Sequence, residues 1–366
     1  MPDPTENNTA RHKILSLDAM RGALALMVLI SHVNLIRLYF RGNQVYNNPA
    51  VYHLGRVALV GFFVLSGYLI TFTILRRMES GQWHLRGFYR ARIFRIWPLY
   101  YTVILLAIFV LPHIDALHFT MPPSVINAHD APEYYAYYFF FLPQIPSFQR
   151  VILPFAEPTW SIGVEEIFYL VIPLAVLLAK RKLTLLLYVF IILFVAIKYA
   201  CVLFPGFSGK FLYKLMHFYR YDCIALGCLA GVMHFNNSKW FTRIGAKHLL
   251  MAGIPILLYF FRMERKSLEY FPFAIYFVMI IAFLVNKNHV IKSPKWLVYL
   301  GTVSYSFYLT HEIAIVFLVN KGVDDISMPL MYVLSLMSTL GLASVFYFAV
   351  EKPFMKWREK LEAKPV

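Results

Sequence analysis

Charged residues make up only 15% of this 366-residue chain, and acidic ones are the rarer sign, 19 Asp and Glu against 35 Lys and Arg. So little charge, beside 60% hydrophobic and 17% aromatic residues, excludes an ordinary soluble globular chain. Cysteine is nearly missing: Cys201, Cys223 and Cys228 lie in or beside apolar runs, with no ligand spacing and no evident pair. That excludes a disulfide framework and reads as packing. The twelve His residues are scattered singly, so no metal motif forms. Repeats and low-complexity tracts are lacking. A cleavable signal peptide is lacking too, because the first apolar stretch is long and an Arg interrupts its start. Nothing resembles a module that reads DNA or RNA, so the net charge of +16 needs another explanation.

What fills the chain instead is apolar runs, and they predict an all-α, polytopic transmembrane bundle of about ten spans in the lipid bilayer. The spans fall near 14–40, 51–75, 97–113, 159–179, 183–203, 222–235, 248–261, 270–285, 296–319 and 328–350. Those at 222–235 and 248–261 are short for a crossing unless their ends extend. Lys and Arg then set the orientation. With the N-terminus inside, inner loops hold Arg11 and Lys13; Arg76, Arg77, Arg86, Arg90, Arg92 and Arg95; Lys180, Arg181 and Lys182; Lys239, Arg243 and Lys247; and Lys287, Lys292 and Lys295. The outer segment 114–158 has only Arg150. This bias predicts a membrane domain over 14–353 between a cytoplasmic tail at 1–13 and a basic cytoplasmic tail at 354–366. The positive charge thus follows from topology.

The first apolar run carries Asp18, Arg21 and His32. At about 100° per residue, the eleven steps from Arg21 to His32 bring them within roughly 20° of each other and about 16 Å apart along the axis. Asp18 falls within roughly 60° of Arg21 by the same arithmetic. Ionisable groups within a span are costly and face a bundle interior or a watered cavity. The alternative is an interfacial Asp18 and Arg21, with His32 making one structural hydrogen bond.

Other polar stretches follow. Gly61, Ser66 and Gly67 in the second run suit close helix approach. Arg92 and Arg95, three apart, share a side of a helix where two guanidinium groups suit a phosphate or diphosphate; a positive-inside anchor with Trp97, Tyr100 and Tyr101 as an aromatic belt is the alternative. The aromatic run Tyr134–Phe141 is short enough to be interfacial or re-entrant. Ser161, Glu165 and Tyr169 are spaced i, i+4, i+8 on one helix face beside Glu166. Arg220 and Asp222 read as a structural salt bridge, and Ser304–Glu312 is a further polar face.

In this order the motifs resemble the acyltransferase 3 family of integral membrane acyltransferases. The resemblance rests on Leu17-Asp18-Ala19-Met20-Arg21-Gly22 with the Arg21-x₁₀-His32 spacing, then Phe62–Leu69, Arg92-x-x-Arg95 and Trp160-Ser161-x-x-x-Glu165. It continues through Tyr221-Asp222 to Gly227, Ser304 to His311, and Glu351-Lys352-Pro353. Each motif is weak alone. The ordered set spans nearly the whole chain.

The resemblance implies transfer of an acyl group, usually acetyl from acetyl-CoA, to a hydroxyl of a sugar. Acceptors in the family include lipopolysaccharide, capsule and peptidoglycan, at the inner (cytoplasmic) membrane. Some members carry a further periplasmic hydrolase-like domain; with so little sequence after its last span, this chain is expected to be a stand-alone member. On this reading His32 is the general base, oriented by Asp18 or Glu165. Arg92 and Arg95 bind the phosphates of CoA, and Arg21 binds phosphate or steadies the oxyanion. Trp160, Ser161, Tyr169 and His311 line the acceptor site. The competing expectation is a transporter or flippase for a lipid-linked glycan, for which intramembrane charges would serve equally.

Overall fold

Helices follow the apolar runs because a chain with no water to bond must satisfy its backbone within each segment. In the computed structural model, residues 4–42, 44–179, 182–204, 206–264, 269–286 and 292–362 are described. Lys180, Arg181 and Lys287 of the basic inner loops lie outside them. The long helices are α1 (Pro4–Arg41), α2 (Pro49–Glu79) and α3 (Leu85–Phe109). Short α4 (Tyr135–Phe139) and α5 (Gln144–Phe148) follow, then α6 (Thr159–Ala179), α7 (Leu183–Leu203), α8 (Phe207–Tyr219) and α9 (Tyr221–Phe235). Next come α10 (Lys239–Thr242), α11 (Ala246–Arg262) and α12 (Phe271–Val285). The last are α13 (Lys295–Thr302), α14 (Ser304–Asn320), α15 (Val323–Ile326), α16 (Met328–Phe346) and α17 (Lys352–Glu362).

Each of the ten runs read from sequence is helical. By length and composition, six of the described helices can cross a membrane, or seven if the bent pair α13 and α14 counts as one span. The expected count of ten crossings is therefore not confirmed: α9 and α12 are short apolar helices of fifteen residues each. The architecture is nonetheless that of a multi-pass, all-α membrane protein.

Two expectations change. The run at 296–319 is broken: α13 and α14 meet at 83° across Val303. The break falls in Gly301-Thr302-Val303-Ser304, four poor helix formers in a row. The last span also continues beyond 350. Five residues, Tyr347–Glu351, form a π-helical turn, and α17 then occupies the stretch expected as the start of a tail. Aromatic packing explains the extension: Trp357 meets Phe94 of α3 edge-on at 5.3 Å.

The chain divides into two compact units. The first comprises 1–20, 56–83 and 165–295. Here α2 and α9 pack so closely that a Cβ on Gly67 would run into the Ile224 carbonyl, which is what a small residue in a span is for. The Tyr68 hydroxyl bonds His234 Nδ1 at 2.7 Å beneath stacked Phe72 and Phe241 rings. The three cysteines are buried and unpaired with one another, as packing residues.

The second unit comprises 21–55, 84–164 and 296–366. In it the later half of α1 is tied down by side chains. Asn34 donates to the Tyr332 hydroxyl at 2.8 Å, and buried Arg37 pairs with buried Asp324 at 3.3 Å. Gly22 lets the α13 backbone approach α1 at Leu297. The segment 114–158 is a set of short helical turns with a two-residue parallel pairing of β1 (Ile126–Asn127) to β2 (Val151–Ile152). Buried Tyr138 anchors it, accepting the Leu153 N–H at 3.0 Å, while the Tyr100 hydroxyl donates to its carbonyl at 2.8 Å.

Candidate active site

The residues singled out in the sequence sort into four polar clusters, two in the second unit and two in the first, each inside one unit. The best defined is in the second unit. His32, on α1, lies 2.9 Å through Nδ1 from Nε2 of His311 on α14, with ring centroids 4.7 Å apart. His311 is fully buried, and its Nδ1 donates to the Tyr308 carbonyl at 2.7 Å. The Tyr308 hydroxyl in turn lies 2.9 Å from Ser161 Oγ, which also contacts the Pro158 carbonyl at 3.2 Å. Three expected residues, His32, His311 and Ser161, thus meet through Tyr308. The break at Val303 starts α14 one turn before Tyr308.

A second cluster in the same unit gathers around Glu351. This buried carboxylate accepts from Ser306 at 2.8 Å and stands within electrostatic reach of Arg95 and Arg21. Two expected arginines from α3 and α1 therefore share one carboxyl neighbour. The sequence placed Glu351 in the closing Glu351-Lys352-Pro353 motif without a site role; its signal was a carboxylate directly after an apolar run. The π-turn that ends on it is a form of helix frequent at functional sites. Arg92 is placed differently, with its guanidinium over the Phe88 ring at 5.7 Å. Half-buried Trp160 precedes Ser161 at the start of α6.

In the first unit, Glu165 of α6 meets Ser66 of α2. Ser66 Oγ contacts the Glu165 carboxylate at 3.0 Å and the Tyr169 hydroxyl at 2.6 Å, and the Tyr169 hydroxyl also bonds Glu165. Each hydroxyl has one proton, so this triangle of three oxygens offers two hydroxyl protons for three edges. The i, i+4 spacing put Glu165 and Tyr169 together; Ser66 read as a packing residue, although a hydroxyl in an apolar run was the available signal. Asp18 also belongs to this unit. Within the second unit, His32 Nδ1 meets an imidazole.

The first unit also buries an ionic group. Lys198 of α7 lies 3.1 Å from Asp222 of α9 and 3.4 Å from Glu269, with His217 Nε2 3.7 Å from the same Glu269 carboxylate. Burial would raise the Glu269 carboxyl, but the His217 ring, the Lys198 ammonium and the Phe271 N–H more than reverse this and hold it at about 2. The pair expected between Arg220 and Asp222 is replaced. Arg220 sits in a left-handed turn with φ of 49° and turns back to its own helix end and the Arg56 carbonyl, its guanidinium 4.2 Å over Tyr270.

The second unit thus holds a histidine pair with one ring fully buried, and a buried glutamate that faces two arginines, within a multi-pass helical frame. The profile of an acyltransferase domain matches residues 14–348, and the chain belongs to the acyltransferase 3 family. It is 26% identical to the peptidoglycan O-acetyltransferase OatA of Listeria monocytogenes over 95% of this chain and 56% of that protein. It is 24% identical to the O-acetyltransferase OatA of Staphylococcus aureus over 84% of this chain and 55% of that one. The chain thus spans about half the length of these curated relatives. An uncharacterized Haemophilus influenzae protein shares 26% identity over 49% of the chain and 75% of its own length. No solved structure matches.

Proposed function

We propose that this protein transfers an acetyl group from acetyl-CoA to a sugar hydroxyl of a cell-envelope glycan, from the inner membrane with both termini in the cytoplasm. The observation that carries the reading is His32, on the helix that also bears Arg21, held by the buried imidazole of His311 on α14. Support comes from the family and from relatives named as O-acetyltransferases, one of them for peptidoglycan. The same support favours acyl transfer over transport of a lipid-linked glycan.

In the proposed reaction the acceptor hydroxyl oxygen attacks the thioester carbonyl carbon while His32 takes its proton. The oxyanion of the tetrahedral species collapses, the C–S bond breaks, and the CoA thiolate takes the proton back from His32. Arg92 and Arg95 would hold the donor's phosphates. Arg21, near Glu351, would serve phosphate or the oxyanion. Trp160, Ser161, Tyr169 and His311 carry the acceptor-site assignment from the motifs, and Glu165 a proton-handling one from its triangle with Ser66 and Tyr169.

The test is His32→Ala in proteoliposomes given acetyl-CoA and soluble peptidoglycan fragments, reading free thiol and sugar ester. A general base contributes typically 10²–10⁴-fold, so transfer should fall by about that factor with insertion unchanged. A wild-type rate of ester formation would remove His32 from the chemistry. An acceptor-dependent flux of glycan with no thiol release would point to transport.

A further inference from the structure

We infer that His311 is a positioning residue that fixes the tautomer of His32; this rests on His32 being the base. A backbone carbonyl only accepts, so the 2.7 Å contact from His311 Nδ1 to the Tyr308 oxygen puts a proton on that nitrogen. His311 is fully buried, and the group holding its Nδ1 is a neutral carbonyl. An imidazole in that setting rests as the neutral ring, because an uncompensated buried charge is costly. Its Nε2 therefore carries a lone pair.

The 2.9 Å contact to His32 then has one sense: His32 Nδ1–H donates and His311 Nε2 accepts. The basic lone pair of His32 is left on Nε2, on the far side of its ring from His311. A base needs that assignment settled before the substrate arrives, because the wrong tautomer presents an N–H to the acceptor hydroxyl. When His32 takes the acceptor's proton at Nε2, the imidazolium keeps its Nδ1–H bond to His311 throughout. No proton has to leave the pair until the thiolate takes it from Nε2.

The geometry that achieves this is long-range and specific. His311 lies one turn beyond Tyr308 on α14, so its Nδ1 reaches back to the i−3 carbonyl while Nε2 points across to α1. This reading also differs from an acceptor-binding role for His311: both ring nitrogens are already engaged, one by Tyr308 and one by His32.

The experiment compares His311→Leu and His311→Gln with wild type, using acetyl-CoA and soluble peptidoglycan fragments, with the folded fraction checked by size-exclusion and thermal melting. Leucine removes the acceptor; the glutamine side chain can offer its amide oxygen to His32 and its amide N–H to Tyr308. His311→Leu should lower kcat by about 10²–10⁴-fold, the scale of a misplaced general base, with KM for both substrates within about twofold. His311→Gln should recover kcat to within about tenfold. In parallel, ¹⁵N spectra of ring-labelled histidine should show His32 protonated at Nδ1 in wild type and in the Gln variant, and largely at Nε2 in the Leu variant. An unchanged kcat in His311→Leu overturns the proposal. So does a raised acceptor KM at constant kcat, which would make His311 an acceptor ligand, or equal loss in both variants with Nδ1 still protonated, which would make it structural. The tautomer spectra are independent of turnover, so a fully active His32→Ala would refute the base assignment while leaving the His311 measurement to stand or fall on its own.

Discussion

Lys198→Met should be the most damaging single change in the ionic group of the first unit. Lys198 and Asp222 side chains are 5% and 1% exposed, with the ammonium 3.1 Å from one carboxylate and 3.4 Å from the second, Glu269, which is 26% exposed. Removing the cation leaves Asp222 charged, desolvated and without its ion pair. Breaking a buried pair from one side costs about 3–5 kcal/mol, on the order of a 10³-fold change in the folded-to-unfolded ratio. Asp222→Asn should cost less, because Lys198 keeps Glu269, and Glu269→Gln least, because water reaches that carboxylate.

The assay is unfolding in dodecylmaltoside micelles titrated with SDS, followed by intrinsic fluorescence. A double-mutant cycle supplies the sharper test: Lys198→Met with Asp222→Asn should be more stable than Lys198→Met alone, since the buried charge is gone. Acid adds a second reading. Glu269 is held at about 2 against an ordinary 4.5, so its contribution is present above pH 4.5 and is lost as pH falls toward 2. Removing Lys198 should move that loss to higher pH. Additive effects in the cycle, or a Lys198→Met variant no weaker than Glu269→Gln, would refute the reasoning.

Two further outcomes are expected. Arg92→Lys and Arg95→Lys should each lower kcat/KM for acetyl-CoA by about tenfold, roughly 1.4 kcal/mol, while Arg76→Lys and Arg77→Lys stay within about twofold; full activity with Lys at 92 and 95 would show that a point charge suffices and no bidentate clamp exists. After replacement of Cys201, Cys223 and Cys228 by Ser, a cysteine at Arg86 should react with impermeant thiol reagents only from the cytoplasm, and one at Ser147 only from outside; reversed labelling would put the proposed donor arginines in the wrong compartment.

The helices were legible because hydrophobic runs and backbone satisfaction leave few alternatives. The stripe of α1 was legible too, since Arg21 and His32 need only the helical period to fall on one face. That period names a face but not the partner across it. His32 and His311 are 279 residues apart, and Ser66 and Glu165 are 99 apart. Such pairs depend on how helices stack. Asp222 shows the same limit: local reading offered Arg220 two residues away, whereas the partner is Lys198 on another helix. Span counting was limited for a different reason, since apolar composition does not separate a crossing helix from a short buried one such as α12.

In the second unit the two site-forming carriers arrive where helix regularity fails. An unbroken helix from 295 to 320 would hold Tyr308 and His311 on the line of α13, whereas the 83° break redirects α14 so that His311 Nε2 meets α1. The π-turn at Tyr347–Glu351 has the same effect on the other cluster. Closing i→i+5 instead of i→i+4 adds one residue to the turn, a change of about 100° in where the following side chains point. Glu351 faces Ser306, Arg21 and Arg95 with that residue inserted. Both irregularities forgo regular backbone hydrogen bonds, which a membrane helix gives up only at a cost, and each delivers a polar side chain to a polar partner. The polar clusters of this unit are thus built from local departures from the helix that the apolar sequence otherwise enforces.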